Sequence, residues 1–165
     1  MAVELSKLKA LTIRQPWADL IIRGLKTIEV REWQVKHRGP FLIHTSNTVD
    51  WKAVQTLGYD EVEELPRGRV IGYAEISEVF QFDRERWLDR LKDHWVVHPL
   101  PEPSFGAVLT NVRVFEKPVR CRGNRYFFLL PQAVLDAVGK NLRAQGVEVE
   151  TAGGAGSPTN RESRP

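Results

Sequence analysis

The chain has 165 residues, 42% of them hydrophobic and 27% charged, with a mean hydropathy of -0.34 and a formal net charge of +3. That is the composition of one soluble globular domain, and it excludes a collagen-like, wholly disordered or membrane-spanning chain. The single cysteine, Cys121, excludes an intramolecular disulfide framework and a cysteine-based zinc site, and it fits a reducing, cytoplasmic setting.

The opening residues lack the apolar run of a signal peptide, and no apolar stretch reaches the roughly 18 residues of a membrane span. Residues 11–13 read as a short apolar strand. Pro16 then suits a first helical turn, and Trp17, Leu20, Ile21 and Leu25 recur at helical spacing up to Gly24, so helix one is expected over 16–23. Residues 26–33 alternate as a half-buried strand, with Ile28 and Val30 on one side and Thr27, Glu29 and Arg31 on the other. After the turn at Arg38, Gly39 and Pro40, residues 41–44 form a compact apolar strand, and 49–57 form a helix with Trp51 and Val54 on one face. A loop at 65–68 leads to a long strand over 69–82, rich in Val, Ile, Tyr and Phe.

Residues 84–93 fit a short amphipathic helix with Trp87, Leu88 and Leu91 apolar. Three prolines make 98–104 an extended loop. Strands follow at 107–115, bent near Asn111, and at 126–130. Pro131 opens a last helix to about 142, with Val134, Leu135 and Val138 inward. The segment 145–165 is rich in Gly, Ser, Thr and Pro and holds no aromatic residue, so it is expected to be a disordered tail after a domain spanning 8–144. Mostly sequential strands with short connections predict an α+β fold, a small, mainly antiparallel β-barrel with short helices packed outside.

No phosphate-binding glycine loop, dinucleotide fingerprint or nucleophile elbow is present, and nothing points to a cofactor. His94 and His98 are four residues apart, but no Glu follows the first, so no metal site is assigned. The informative stretch is TIRQPWADLIIRGLKTIEVR over 12–31. The alternation places Thr27, Glu29 and Arg31 on one polar strand face, which a solvated surface or a cleft would both explain. Glu75 lies in an otherwise apolar strand, where a carboxylate must be paired or have its pKa raised. Residues 113–125 hold Arg113, Lys117, Arg120, Arg122 and Arg125 against one acid, Glu116, the densest positive segment. Of the chain's 24 cationic residues, most are Arg, which suits RNA contact, although a GC-rich coding bias gives the same excess.

The run RQPWADLIIRGLKTIEVR resembles the ASCH (activating signal cointegrator homology) domain of the PUA-like superfamily. Further matches are RGP running into LIHTS, LPRGRVIGYAEI, GAVLTNVRVFEKPV and residues 126–131, so the resemblance spans about 11–137. It implies a PUA-like barrel with a cleft between helix one and the barrel. The floor would carry Lys26, Thr27, Glu29 and Arg31, one wall Arg14, Gln15 and Trp17, and the opposite side His44 and Ser46. By helical spacing alone, Trp17 reads as core rather than as a stacking platform. Cations, a ring and a carboxylate in one cleft suit single-stranded RNA or a modified nucleotide, with Arg113, Arg120 and Arg122 on the rim.

The resemblance also allows two enzymes with catalytic candidates Lys26, Glu29 and Glu75: a metal-independent ribonuclease, with Glu29 or His44 as base and Lys26 or Arg31 as cation, and an amidohydrolase of N4-acylated cytidine, which the chain matches at Lys26 and Glu75. In the amidohydrolases a Thr stands three residues after the Lys; here that position is Glu29, which cannot replace an activated hydroxyl. A protein-binding adaptor is the remaining alternative.

Overall fold

The computed structural model describes residues 2–151. Among the described residues eight strands are formed: β1 (Val3–Glu4), β2 (Lys9–Ile13), β3 (Ile28–Arg31), β4 (Gly39–Thr45), β5 (Arg69–Gln81), β6 (Phe105–Arg120), β7 (Phe128–Leu129) and β8 (Val149–Glu150). The helices are α1 (Trp17–Ile22), α2 (Trp51–Leu57), α3 (Arg84–Asp89), α4 (Leu91–His94) and α5 (Gln132–Ala144). Six strands make one sheet in the order β3-β6-β5-β4-β2-β7. All neighbours are antiparallel except β2 and β4, which run parallel with Leu11 opposite Ile43. That one parallel pair is joined through α1 and β3, a connection long enough to cross over. The expected mainly antiparallel α+β fold is present.

The faces of the sheet follow the two-residue period. Ala10, Leu42, Val70 and Phe115 lie under α5, which turns Leu135, Val138 and Leu142 onto them. Leu11, Ile13, Phe41, Ile43 and Ile71 point the other way and pack with Ala18 and Ile21 of α1. Each such large apolar side chain contributes about 1.5–3 kcal/mol by leaving water. The sheet curls until β3 returns beside β2, where the Arg31 guanidinium donates to the Thr12 carbonyl at 3.0 Å. Between β5 and β6 the register shifts three times, and Asn111 takes a left-handed φ of 50° at the expected bend. A third small cluster of Ile28, Phe82, Trp87 and Val96 roofs β3 with α3 and the chain after α4.

Several boundaries differ from expectation. The amphipathic segment after Asp83 breaks at Arg90 into α3 and α4; Trp87 and His94 turn inward, while Leu88 and Leu91 face solvent. In α2 the inward residue is Ala53, and Trp51 is exposed. Order does not stop at Ala144: Val147 and Val149 pack against the α5 core, and β8 pairs with β1, strands too short to carry a readable period. The rest of the expected tail lies outside the described residues. Among the described residues no helix is long and apolar enough to cross a membrane.

Candidate functional site

The site begins where α1 ends. Gly24 (φ 73°) reverses the chain, and the amides of Leu25 and Lys26 both donate to the Leu20 carbonyl. This turn swings Lys26 inward and leaves Leu25 exposed, the reverse of what helical spacing expects. The Lys26 ammonium donates to the His94 carbonyl at 2.7 Å and lies 3.7 Å from a Glu29 carboxylate oxygen. The other Glu29 oxygen accepts from Arg31 at 3.0 Å. Lys26 is 2% exposed and Glu29 6%. Burial pushes the Lys26 pKa down to about 8, opposed by the Glu29 carboxylate and reinforced by the Arg31 charge.

Trp17 stands over this group. Its indole ring lies 5.0 Å from the Lys26 nitrogen, and its N–H donates to Asp50 at 2.9 Å. It is half-buried, packs against two of the core clusters as its helical spacing expects, and also lines a pocket. The pocket holds about 170 Å³, and its lining includes Trp17, Trp87, His98, Arg31 and the three carboxylates of Glu29, Glu32 and Asp50. A water occupies roughly 30 Å³ of liquid, so the space suits one flat ring rather than a length of chain. Asp50, Trp87 and His98 were missed from sequence; only the proline-rich 98–104 loop hinted that a wall stands there.

Other residues expected in the cleft lie elsewhere. Gln15 is fully buried; its amide donates to the Pro66 carbonyl at 3.1 Å and its oxygen accepts the Asp19 amide at 2.9 Å. It ties the start of α1 to the 65–68 loop. His44 is 1% exposed, its ring held between the Thr12 hydroxyl (3.0 Å) and the Cys121 carbonyl (2.7 Å), and burial lowers its pKa. Ser46 accepts the Thr48 amide at 3.0 Å in a local turn. Thr27 bridges Asp93 and Leu109 through its backbone. Arg14 is exposed beyond β2.

Glu75 and Lys26 line separate pockets. Glu75 accepts from the Tyr73 hydroxyl at 2.7 Å and from Asn111 at 3.3 Å, in a groove of about 790 Å³ that also holds Arg113. Its carboxylate is paired, as a strand carboxylate must be. The trio Lys26, Glu29 and Glu75 is therefore not assembled. His94 commits both ring nitrogens to backbone, one at the Trp87 carbonyl and one at the Val96 amide, so neither is free for a metal. Cys121 is buried, and burial pushes its thiol pKa up despite the flanking arginines.

The positive run over 113–125 divides. Arg113 faces the Glu75 groove, and the Lys117 backbone pairs with Asn141 of α5. Arg120, Arg122 and Arg125 reach the end of the sheet where the turns at 14–16, 46–48 and 66–68 meet. Hydrogen bonds knit these turns together: Ser46 to Ile13, Gly68 to Thr45, Cys121 to Gly68 and Asn124 to the Thr12 hydroxyl. Arg14 and Arg67 lie on these turns, Arg69 and Arg120 at the ends of β5 and β6 beside them, and Arg122 and Arg125 on the loop after β6; none has an acidic partner among the described residues. Thr12 joins this rim to the pocket, because its carbonyl takes Arg31.

The ASCH domain model matches residues 11–119. Activating signal cointegrator 1 from Homo sapiens and from Mus musculus are each 52% identical to the chain over 29 residues, 18% of the chain and 5% of their own length. The chain thus spans a small fraction of those relatives. The solved structure of ASCH from Zymomonas mobilis superposes with a TM-score of 0.58 at 14% identity, covering 88% of this chain and 99% of that one. A serine-to-alanine mutant of that protein superposes at 0.59 and 13% identity, covering 82% and 96%. These structures share the fold, and with two thirds of the sequence under the family model the chain belongs to the ASCH domain family.

Proposed function

We propose that the chain binds single-stranded RNA, seating one base or modified nucleotide in the Trp17–Glu29–Arg31 pocket while the arginine rim holds the adjoining phosphates. The observation that carries this reading is the pairing of a ring-sized pocket with a rim of six arginines that lack acidic partners among the described residues. Arginine grips phosphate in a fork, and cationic grooves beside aromatic rings are what single strands need. Glu29 presents a carboxylate to the pocket wall, where it can accept from a base amino group. Lys26 is held too deep to contact phosphate; it neutralises Glu29 from below.

The test is a gel with end-labelled single-stranded RNA in EDTA, at low and moderate salt. Wild type is compared with Glu29→Gln and with Arg120→Ala/Arg122→Ala. The expected result is a shifted, intact band that weakens in both variants and at higher salt. Shortened products lost in Glu29→Gln would make the cleft a metal-independent ribonuclease. Neither shift nor cleavage in any lane would remove RNA as the ligand and leave an acylated nucleoside or a protein partner.

A further inference from the structure

We infer that a strand leaving the pocket continues into a second groove beside it, where its bases stack on an aromatic ladder and its phosphates meet lysine and arginine. The inference rests on the RNA reading above and extends its path. The groove holds about 540 Å³ and is lined by Lys9, Trp33, Lys36, Arg38, Tyr126 and Phe127, together with His37 and Gln34. Among the described residues no acidic side chain lines it. Lys9, Lys36 and Arg38 are exposed and have no acidic partner among the described residues. Arg38 is held in place by donating to the Val35 and His37 carbonyls, each at 3.0 Å.

The rings form a connected chain of mostly edge-to-face contacts. Tyr126 is 49% exposed and meets Trp33 edge-on at 5.2 Å between centroids. Trp33 meets Phe127 edge-on at 6.1 Å. Phe127 in turn stacks on His37 at 4.6 Å and abuts the fully buried Phe41 at 5.9 Å. The outermost ring is therefore anchored to the core rather than free to swing. Arg125 lies 5.5 Å from the Tyr126 ring centre, adding a cation at the platform. A cluster that served only packing would have no need to leave its outer tyrosine half exposed among cations.

Two connections link the groove to the pocket. Trp33 follows Arg31 by two residues, so their Cα atoms are within about 7 Å. Tyr126 ends the 122–126 loop, whose Asn124 amide donates to the Thr12 hydroxyl at 3.3 Å. The same Thr12 accepts Arg31 through its carbonyl. A strand seated at Arg31 has this ladder as its next surface.

The test is fluorescence anisotropy on the full chain with labelled oligouridylates of 4 and 12 nucleotides. Wild type is compared with Tyr126→Ala, Tyr126→Phe and the double variant Lys9→Glu/Lys36→Glu, each checked for an unchanged melting transition. Tyr126→Ala and the double variant are expected to weaken 12-mer binding by about tenfold. They should leave 4-mer binding within about twofold of wild type, and Tyr126→Phe should bind both as wild type does, because stacking needs the ring and not the hydroxyl. Equal loss on both lengths, no loss on the 12-mer, or loss in Tyr126→Phe would overturn the inference. If wild type binds neither length, the pocket reading itself fails, and the ladder goes with it.

Discussion

Lys26 and His94 lie 68 residues apart, yet the lysine ammonium donates to the histidine carbonyl at 2.7 Å. This bond closes the α3–α4 flap onto the start of β3. The Thr27 amide, donating to the Asp93 carbonyl at 2.9 Å, does the same from the backbone. The flap carries Trp87, one wall of the pocket. A buried amine, donating to the His94 carbonyl, thus fastens the wall of the pocket to its floor.

Removing that donor should loosen the fold. Lys26→Met leaves the His94 carbonyl without its donor and Glu29 with Arg31 alone. A buried pair stripped of one partner costs several kcal/mol, and the surviving Arg31 contact keeps the loss to about 2–3 kcal/mol. Urea unfolding at pH 7 checks this. A variant as stable as wild type would show that Lys26 does not fasten the flap.

The same lysine gives a pH signature. Its pKa is lowered from 10.5 to about 8 by burial. Between those values the unfolded chain holds more protons than the folded one, so stability from this group rises with pH. The gap between wild type and Lys26→Met should widen in favour of wild type as pH climbs through that window. Parallel stability curves across it would contradict the assignment.

His44 and His94 act at the acid end. Burial lowers both pKa values below 6.5, opposed by the Cys121 and Trp87 carbonyls. As pH falls below about 6.5, the unfolded chain takes up protons the folded chain refuses, and stability declines. Urea midpoints measured on either side of that value should show a clear drop on the acid side. A midpoint that stays level or rises on acidification would mean that the rings are protonated in place.

These contacts mark where the sequence was legible and where it was not. Alternation placed Glu29 and Arg31 together on β3, and the structure joins them at 3.0 Å. Lys26 was legible as important but not as buried, because the turn at Gly24 breaks the helical period that would have set its direction. His44 and Glu75 lie on the strands expected for them, but strand order decides what each one faces. No local pattern says that Cys121 reaches His44 across 77 residues. The Trp33–Tyr126 ladder was invisible for the same reason, since its rings come from two distant loops.

Gln15 tests the distinction between binding and building. Its two side-chain bonds hold Pro66 and Asp19, and it is fully buried. Gln15→Leu keeps its bulk but leaves a buried carbonyl and a helix-start amide unpaired. The expected loss is about 2 kcal/mol by urea unfolding. RNA affinity of the folded protein should stay within a few-fold of wild type. A large affinity loss without a stability loss would return Gln15 to the binding surface.

Arg120 sets binding against stability. It sits directly opposite Arg69 across β5 and β6, like charges in register at the strand ends. Such a pair is destabilising in a sheet, by tenths of a kcal/mol. Folding alone gives no reason for such a pair, whereas contact with phosphate does. Arg120→Thr should therefore unfold no more easily than wild type, and slightly less so. It should also weaken RNA binding and reduce the slope of log K against log salt by about 0.7, the value for one phosphate contact on a single strand. Anisotropy titrations across a series of salt concentrations measure the slope. An unchanged slope would mean that the arginine rim does not touch the backbone, however positive it is.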